Sequence, residues 1–174
     1  HYMIERRMML EGYCVIDGKE QKSRAAFNDI IIHRGTNPSV KTLIIRVNGE
    51  YLNTYVGDGI IVATPSGSTA YNMSAGGPIV DPKAKLLLVT PINSHSLNAK
   101  SIVLSADDEI EIEISARNHE TDDSAEVSFD GDYPIKLGFG DKIVIKKAEQ
   151  ATNILKLSKL SFLEILSKKM QTCI

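Results

Sequence analysis

The residues best suited to chemistry lie in a run of small side chains at positions 63–78, ATPSGSTAYNMSAGGP. Glycine lacks a Cβ atom and so lets a ligand approach the backbone closely. Hydroxyls and free amides supply many hydrogen-bond donors in a small volume. Tyr71 adds an aromatic face with a polar tip. This chemistry is that of a pocket for a sugar, a phosphate or the edge of a base.

A Ser- and Gly-rich surface loop is the alternative interpretation of this run, and composition alone favours it. Three features favour a binding site instead. The run is long for a loop without structure of its own. It follows the apolar residues 60–63, which read as a buried strand, and Gly57-Asp58-Gly59 places a carboxylate before that strand.

These motifs resemble the core signature of the NAD kinases. The resemblance is carried by Gly57-Asp58-Gly59, by TPSGSTAY at 64–71 and by SAGGP at 74–78. Further similar segments are FND at 27–29, TPI at 90–92, HSL at 95–97, FDG at 129–131, GDKI at 140–143 and SFLEIL at 161–166. The similarity runs from about Tyr2 to nearly the end of the chain. A lone Gly-Asp-Gly would carry no weight, but residues 64–78 match over too great a length for chance.

The resemblance implies an enzyme that uses Mg²⁺ and ATP to phosphorylate the 2′-hydroxyl of the adenosine ribose of NAD, giving NADP. In such enzymes an N-terminal α/β domain carries Gly-Gly-Asp-Gly, binds the ATP phosphates and supplies the catalytic Asp. This sequence contains no Gly-Gly-Asp-Gly. We therefore expect residues 1–150 to form the NAD-binding β domain, with no catalytic residue of their own, and the chain alone to lack kinase activity.

The resemblance also implies a set of substrate-binding residues. The Asn-Asp pair would bind ribose, because a carboxylate accepts two hydrogen bonds from a vicinal diol and an amide both donates and accepts. The carboxylate of Asp58 would accept from a base, including across a subunit interface, and Tyr71 would stack on a base. Asp132 stands where the family often has Gln, so an acceptor is kept and the donors are lost. The full set is Asn28, Asp29, Asp58, Thr69, Ala70, Tyr71, Asn72, Met73, Ser74 and Asp132.

Each of these residues also has a structural interpretation. Asn28-Asp29 and Asp58 are typical turn residues, and residues 68–76 could form a capped helical turn with a packed Tyr71. His95 lacks an evident nucleophile partner, so we read it as a hydrogen-bonded structural residue.

Composition places the chain among ordinary soluble domains. It has 174 residues, 43% apolar, with a formal net charge of −2 and no Trp, which disfavours nucleic-acid binding. No apolar run has membrane-spanning length. Its two cysteines, Cys14 and Cys173, predict reduced thiols in the cytoplasm, and the four histidines show no metal spacing. The family resemblance implies a homo-oligomer, a dimer or a tetramer.

Short alternating strands predict a mainly β fold, an antiparallel β-sandwich with a C-terminal helix. The turn signals are Asp17-Gly18, Asn48-Gly49 and Asp130-Gly131. Residues 23–33 read as one strand. The alternation at 109–114 puts three glutamates on a face that we expect to be solvated and mildly self-repelling.

The tail, residues 151–174, carries Leu and Met at helical spacing and reads as a helix. Two interpretations are open: the helix docks on the N-terminal α/β domain, or it packs on the sheet of its own chain. The first would leave an apolar stripe exposed in this chain.

Two other functions compete with the NAD kinase assignment. One is a non-catalytic oligomerisation module built on edge strands and the apolar tail. The other is a lipid kinase of similar architecture, which the Thr-Ala-Tyr block at 69–71 and the absence of an acyl-pocket signal disfavour.

Overall fold

The fold is known from a computed structural model that describes residues 2–36, 38–96, 98–115 and 124–171. Four residues mentioned in the sequence analysis lie outside the described residues: His1, Leu97, His119 and Cys173. Over the described ranges the chain forms thirteen strands: β1 Met3–Ile16, β2 Lys19–Glu20, β3 Arg24–Ala26, β4 Asp29–His33, β5 Lys41–Val47, β6 Glu50–Gly57, β7 Gly59–Ala63, β8 Leu86–Ile92, β9 Ile102–Ser105, β10 Ile110–Ser115, β11 Ala125–Phe129, β12 Ile135–Leu137 and β13 Lys142–Lys156. A 3₁₀ turn at Ser66–Thr69 and two helices, α1 Tyr71–Ser74 and α2 Phe162–Gln171, complete the described elements.

The strands form two antiparallel sheets. In the described chain the first sheet has the order β2-β1-β13-β10-β5-β6, with β3 also paired to β1, and the second has the order β12-β11-β4-β7-β8-β9. The hydrophobic core lies between them and takes isoleucines from both, among them Ile30 and Ile60 from one sheet and Ile45 and Ile112 from the other. The predicted antiparallel sandwich and the C-terminal helix are confirmed.

Strand β7 is buried on both faces, which explains its unbroken apolar sequence. Ile60 and Val62 point into the core between the sheets. Ile61 and Ala63 belong to a second apolar cluster on the outer face, where Ala75 and Val80 pack against them. The small-residue run after β7 therefore folds back over the outer face of the second sheet.

Three local predictions need correction. Residues 23–33 form two strands in different sheets, because the chain crosses between β3 and β4. The helix begins only at Phe162, because residues 151–156 continue β13 and pair with the start of β1. Of the three glutamates at 109–113, Glu109 is exposed as expected, whereas Glu111 and Glu113 of β10 are half-buried and paired. Arg46 binds Glu111 at 3.1 Å and Glu113 at 2.7 Å, and Lys142 binds Glu111 at 2.7 Å.

Candidate functional site

Residues 27–29 form a turn at the entrance to β4, and the carboxylate of Asp130 holds it. That carboxylate accepts the main-chain N–H groups of Phe27 at 2.5 Å, Asn28 at 2.7 Å and Asp29 at 3.1 Å. The main-chain N–H of Asp130 in turn donates to the carbonyl of Asp29 at 3.0 Å. The predicted Asn28-Asp29 pair is thus held in one geometry by a residue far away in sequence.

The carboxylate of Asp29 is buried and unusual. The residue is only 4% exposed, and within the described part of the chain no group donates a hydrogen bond to its side chain. Burial, with a smaller contribution from the negative charge of Asp130, raises the pKa of Asp29 from 3.8 to about 6. A buried carboxylate with spare acceptor capacity is a common feature of a binding site.

The run that follows β7 packs directly against this turn. The hydroxyl of Thr64 donates to the carbonyl of Phe27 at 2.7 Å, and the main-chain N–H of Thr64 donates to the carbonyl of Asn28 at 2.9 Å. The N–H of Gly67 donates to the Thr64 hydroxyl at 3.0 Å. A Cβ atom at position 67 would overlap the Asn28 carbonyl, so this contact requires glycine.

Helix α1 presents polar and aromatic side chains outward from this corner. Tyr71 is 45% exposed and Met73 is 47% exposed, and Ser74 is also exposed. Thr69 and Ala70 are half-buried just before the helix. The predicted residues 69–71, 73 and 74 therefore follow closely after Gly67, which packs against Asn28.

Asn72 differs from its neighbours, because its side chain is fully buried and points inward. Its amide N–H donates to the carbonyls of Ser68 at 3.1 Å and Pro78 at 3.0 Å, and its carbonyl accepts from the Thr90 hydroxyl at 2.7 Å. In this conformation the amide clamps α1 to β8 rather than facing a ligand.

Asp58 lies away from the other predicted residues. It precedes β7, whereas the small-residue run follows it, and six extended residues place their Cα atoms roughly 20 Å apart. Its carboxylate accepts from the Asn93 amide at 2.9 Å and pairs with Arg34 at 3.4 Å. One chain alone does not bring Asp58 to the corner at Asn28.

Asp132 lies on the loop after β11 and has partners within the chain. Its carboxylate pairs with Arg24 at 2.5 Å and accepts the N–H of Tyr133 at 2.8 Å. The Arg24 guanidinium lies 5.0 Å from the centre of the Phe129 ring. Asp132 is therefore engaged in fixing this loop.

Two residues of the site were missed by the sequence considerations as functional groups. Asp130 entered them as a turn residue and part of a motif, and Thr64 as the first residue of the TPSGSTAY motif, neither with a role of its own. The Asp-Gly and Thr-Pro dipeptides indicate turns but do not indicate which distant backbone a side chain will bind.

The described residues offer no set of three or more His, Cys, Asp or Glu side chains that could hold a metal ion. Among the same residues, no helix is long and apolar enough to cross a membrane.

Burial raises the pKa of the Cys14 thiol to about 11, so this cysteine is an inert core residue.

Comparison with known proteins places these features in a family. Residues 27–157 match the family model of the ATP-NAD kinase C-terminal domain. The chain is 56% identical over 169 residues to the NAD kinase of Agathobacter rectalis, covering 97% of this chain and 59% of that protein. It is 47% identical over 179 residues to the NAD kinase of Lachnospira eligens, covering 97% and 61%. The chain thus spans about 60% of the length of these curated relatives.

Solved structures give the same result. The crystal structure of yeast NADH kinase complexed with NADH matches with a TM-score of 0.89 and 29% identity, over 95% of this chain and 50% of that one. An NAD kinase from Archaeoglobus fulgidus in complex with ATP matches with a TM-score of 0.71 and 28% identity, over 90% and 56%. The resemblance read from the sequence is confirmed, and the chain belongs to the ATP-NAD kinase C-terminal domain family.

Proposed function

We propose that this chain is the substrate-binding domain of an NAD kinase and binds NAD at the corner formed by Asn28, Asp29 and residues 64–74. The observation that carries the proposal is the buried Asp29 carboxylate, which lacks a donor among the described residues and lies beside a loop of small residues. Membership of the family, and the likeness to a kinase crystallised with NADH, support this choice of ligand.

The chemistry of the corner suits the two ends of a nucleoside. Vicinal ribose hydroxyls would supply the donors that the Asp29 carboxylate lacks, with the Asn28 amide beside it. The exposed ring of Tyr71 offers a face for a base, and the hydroxyls of Thr69 and Ser74 offer polar contacts to the base edge. Ala70 and Met73 would shape the surface between them.

The reaction we propose for the whole enzyme is transfer of the γ-phosphoryl group of ATP to the 2′-hydroxyl of the adenosine ribose of NAD. Phosphoryl transfer depends on positioning and on stabilisation of charge, and in this division of labour the present chain positions the acceptor. Mg²⁺ would accompany ATP in the whole enzyme and help to neutralise charge on the transferred phosphoryl group. Without Gly-Gly-Asp-Gly in this sequence, the chain alone is expected to form no NADP.

We further propose that the site is completed in a homo-oligomer. Asp58 lies roughly 20 Å from Thr64 along β7, so it would reach a bound base only from a second copy. This arrangement agrees with the expectation that Asp58 acts across a subunit interface. A dimer or a tetramer satisfies it equally.

The tail is proposed to dock on the N-terminal α/β domain. Leu163 is 70% exposed and Leu157 is 75% exposed, and they border a groove of about 980 Å³ between α2 and the strand pair β1–β13. Met3 and Ile4, also exposed, line the same groove. An apolar stripe of this kind marks a protein interface. It also favours the second candidate function, a module that self-associates without binding NAD.

Calorimetric titration of this chain with NAD and with NADP tests the proposed function. We expect weak binding that Tyr71→Ala abolishes and that Tyr51→Ala, at a tyrosine 63% exposed on β6, leaves unchanged. Self-association without NAD or NADP binding would contradict the NAD site and support the oligomerisation module. Formation of NADP from ATP and NAD by the purified chain would contradict the division of labour.

A further inference from the structure

We propose that Asp130 is a positioning residue for NAD binding: its carboxylate holds the Asn28-Asp29 pair in the ribose-binding geometry before NAD arrives. This inference rests on the proposed NAD site. It concerns a residue that contacts the binding turn from the loop after β11 and that does not itself need to touch the ligand.

The main-chain N–H groups of residues 27–29 form an anion-binding concavity, and the anion that occupies it is a side chain of the same protein, the Asp130 carboxylate. Three consecutive main-chain N–H groups, those of residues 27–29, converge on the two oxygens of one carboxylate at 2.5 to 3.1 Å. Successive N–H groups of this kind commonly form a nest for a bound anion. Here the anion is a side chain 101 to 103 residues further along the chain, so the turn is shaped by the fold before any ligand is present.

The backbone of Asp130 strengthens the same connection. Its N–H donates to the Asp29 carbonyl at 3.0 Å, and its φ of 51° lies in the left-handed region, which Asp tolerates better than most residues. The conformation directs both the amide and the carboxylate of Asp130 to one turn. A residue that only closed the β11–β12 loop would not need this double contact.

Thr64 holds the opposite side of the turn. While Asp130 accepts its N–H groups, Thr64 donates to the carbonyls of Phe27 and Asn28 at 2.7 and 2.9 Å. The donors and acceptors of the turn are therefore occupied by two residues outside it, Thr64 just after β7 and Asp130 just after β11. What remains free for a ligand is the pair of side chains, Asn28 and Asp29.

The charge of Asp130 acts on Asp29 as well. After burial, which is the larger cause, the Asp130 carboxylate is the charged group that raises the pKa of Asp29. A more basic carboxylate is a stronger hydrogen-bond acceptor for hydroxyl donors. Asp130 therefore affects both where the Asp29 oxygens lie and how strongly they accept.

The test compares two carboxylates that bind main-chain N–H groups. Asp130→Asn removes the charge and puts an N–H group against the N–H groups of the turn. The matched control is Asp141→Asn, since Asp141 is 8% exposed and accepts the N–H groups of Asp17 at 2.9 Å and Gly138 at 2.7 Å, away from the site. Both variants should lower the thermal midpoint, which measures the structural role alone.

The functional readouts should separate the two variants. By calorimetry, Asp130→Asn should raise the Kd for NAD at least roughly tenfold, the effect of a lost charge-assisted contact, and Asp141→Asn should leave it within a factor of about two. By carboxyl NMR, the pKa of Asp29 should fall in Asp130→Asn and stay at its wild-type value in Asp141→Asn. A folded Asp130→Asn chain with the wild-type Kd would overturn the inference, as would an equal loss in both variants.

Wild-type measurements keep the inference testable if Asp130→Asn does not fold. Without NAD, the amides of residues 27–29 should be protected against hydrogen exchange, because the turn exists before the ligand binds. Exchange at the rate of an open loop would overturn preorganisation. A wild-type chain that binds no NAD, with these amides protected, would instead refute the proposed function and leave the Asp130 contact as a purely structural one.

Discussion

Two aspartates bracket strand β7, and the fold treats them in opposite ways. Asp58, at its start, is half-buried with an amide and a guanidinium on its oxygens. Asp29, opposite the end of β7, is buried beside another carboxylate and has no donor among the described residues. The contacts of Asp58 stabilise the folded chain, whereas burial of the Asp29 carboxylate without a donor lowers the free energy of unfolding. Destabilising features of this kind are common at ligand-binding sites.

The largest expected effect follows from that difference. Asp29→Asn replaces a carboxylate that is proposed to accept two ribose hydroxyls with an amide that accepts fewer, so NAD affinity should fall roughly 100-fold, about 2.7 kcal/mol. Calorimetry with NAD measures this loss. Asp81→Asn provides the control, because Asp81 is an exposed aspartate whose carboxylate accepts the local N–H of Lys83 at 2.8 Å. Wild-type affinity in Asp29→Asn would exclude ribose binding at this carboxylate.

The same substitution should change stability in the opposite direction. The folded pKa of about 6 lies above the ordinary 3.8, so between these values the folded state binds more protons than the unfolded state, and stability falls as pH rises. A shift of about two units corresponds to about 2 to 3 kcal/mol lost between pH 4 and pH 7. Asp29→Asn should remove this loss and be the more stable protein at pH 7.

Urea unfolding at a series of pH values isolates the effect. The difference in the free energy of unfolding between Asp29→Asn and the wild type should grow from pH 4 to pH 7, since the other titrating groups are common to both proteins. A difference that is independent of pH would mean that Asp29 has its ordinary pKa in the folded chain.

The next effect concerns the clamp beneath the proposed base site. Asn72→Ala deletes three hydrogen bonds in a fully buried position and leaves the Thr90 hydroxyl without that acceptor. We expect a loss of about 2 kcal/mol in urea unfolding. Ser74→Ala, on the exposed face of the same helix, should cost less than about 0.5 kcal/mol. Equal stability of the two variants would contradict the inward role of Asn72.

Asn72 also shows how far sequence reasoning reached. The loop of the proposed site was predictable, because an apolar run at 60–63 followed by glycines, hydroxyls and Tyr71 indicates small residues that follow a buried strand. The Asn48-Gly49 hairpin was predictable for a similar reason, since the required positive φ values, 51° and 81°, are local properties.

What sequence reasoning missed depends on contacts distant in sequence. A helix of four residues has no usable periodicity, so nothing indicated that Asn72 would turn inward while Tyr71 and Met73 turned outward. The hydrogen bonds between Asp130 and residues 27–29 join positions more than 100 residues apart, and they follow from the pairing of β11 with β4. The distance between Asp58 and Tyr71 likewise depends on the length of β7, which agrees with the expectation that Asp58 acts across a subunit interface.

The smallest expected effect is that of Asp58 on stability. Its ion pair with Arg34 is partly exposed, at 40% for Arg34 and 23% for Asp58, so Asp58→Asn should cost less than about 1 kcal/mol.

The effect of Asp58→Asn on NAD binding should depend on assembly, because the proposed site takes this carboxylate from a second copy. At protein concentrations where the oligomer forms, the substitution should weaken NAD binding several-fold. Sedimentation and calorimetry on the same samples relate affinity to the oligomeric state. An equal loss in dilute monomer would show that Asp58 acts within one chain, despite the roughly 20 Å that β7 places between it and Thr64.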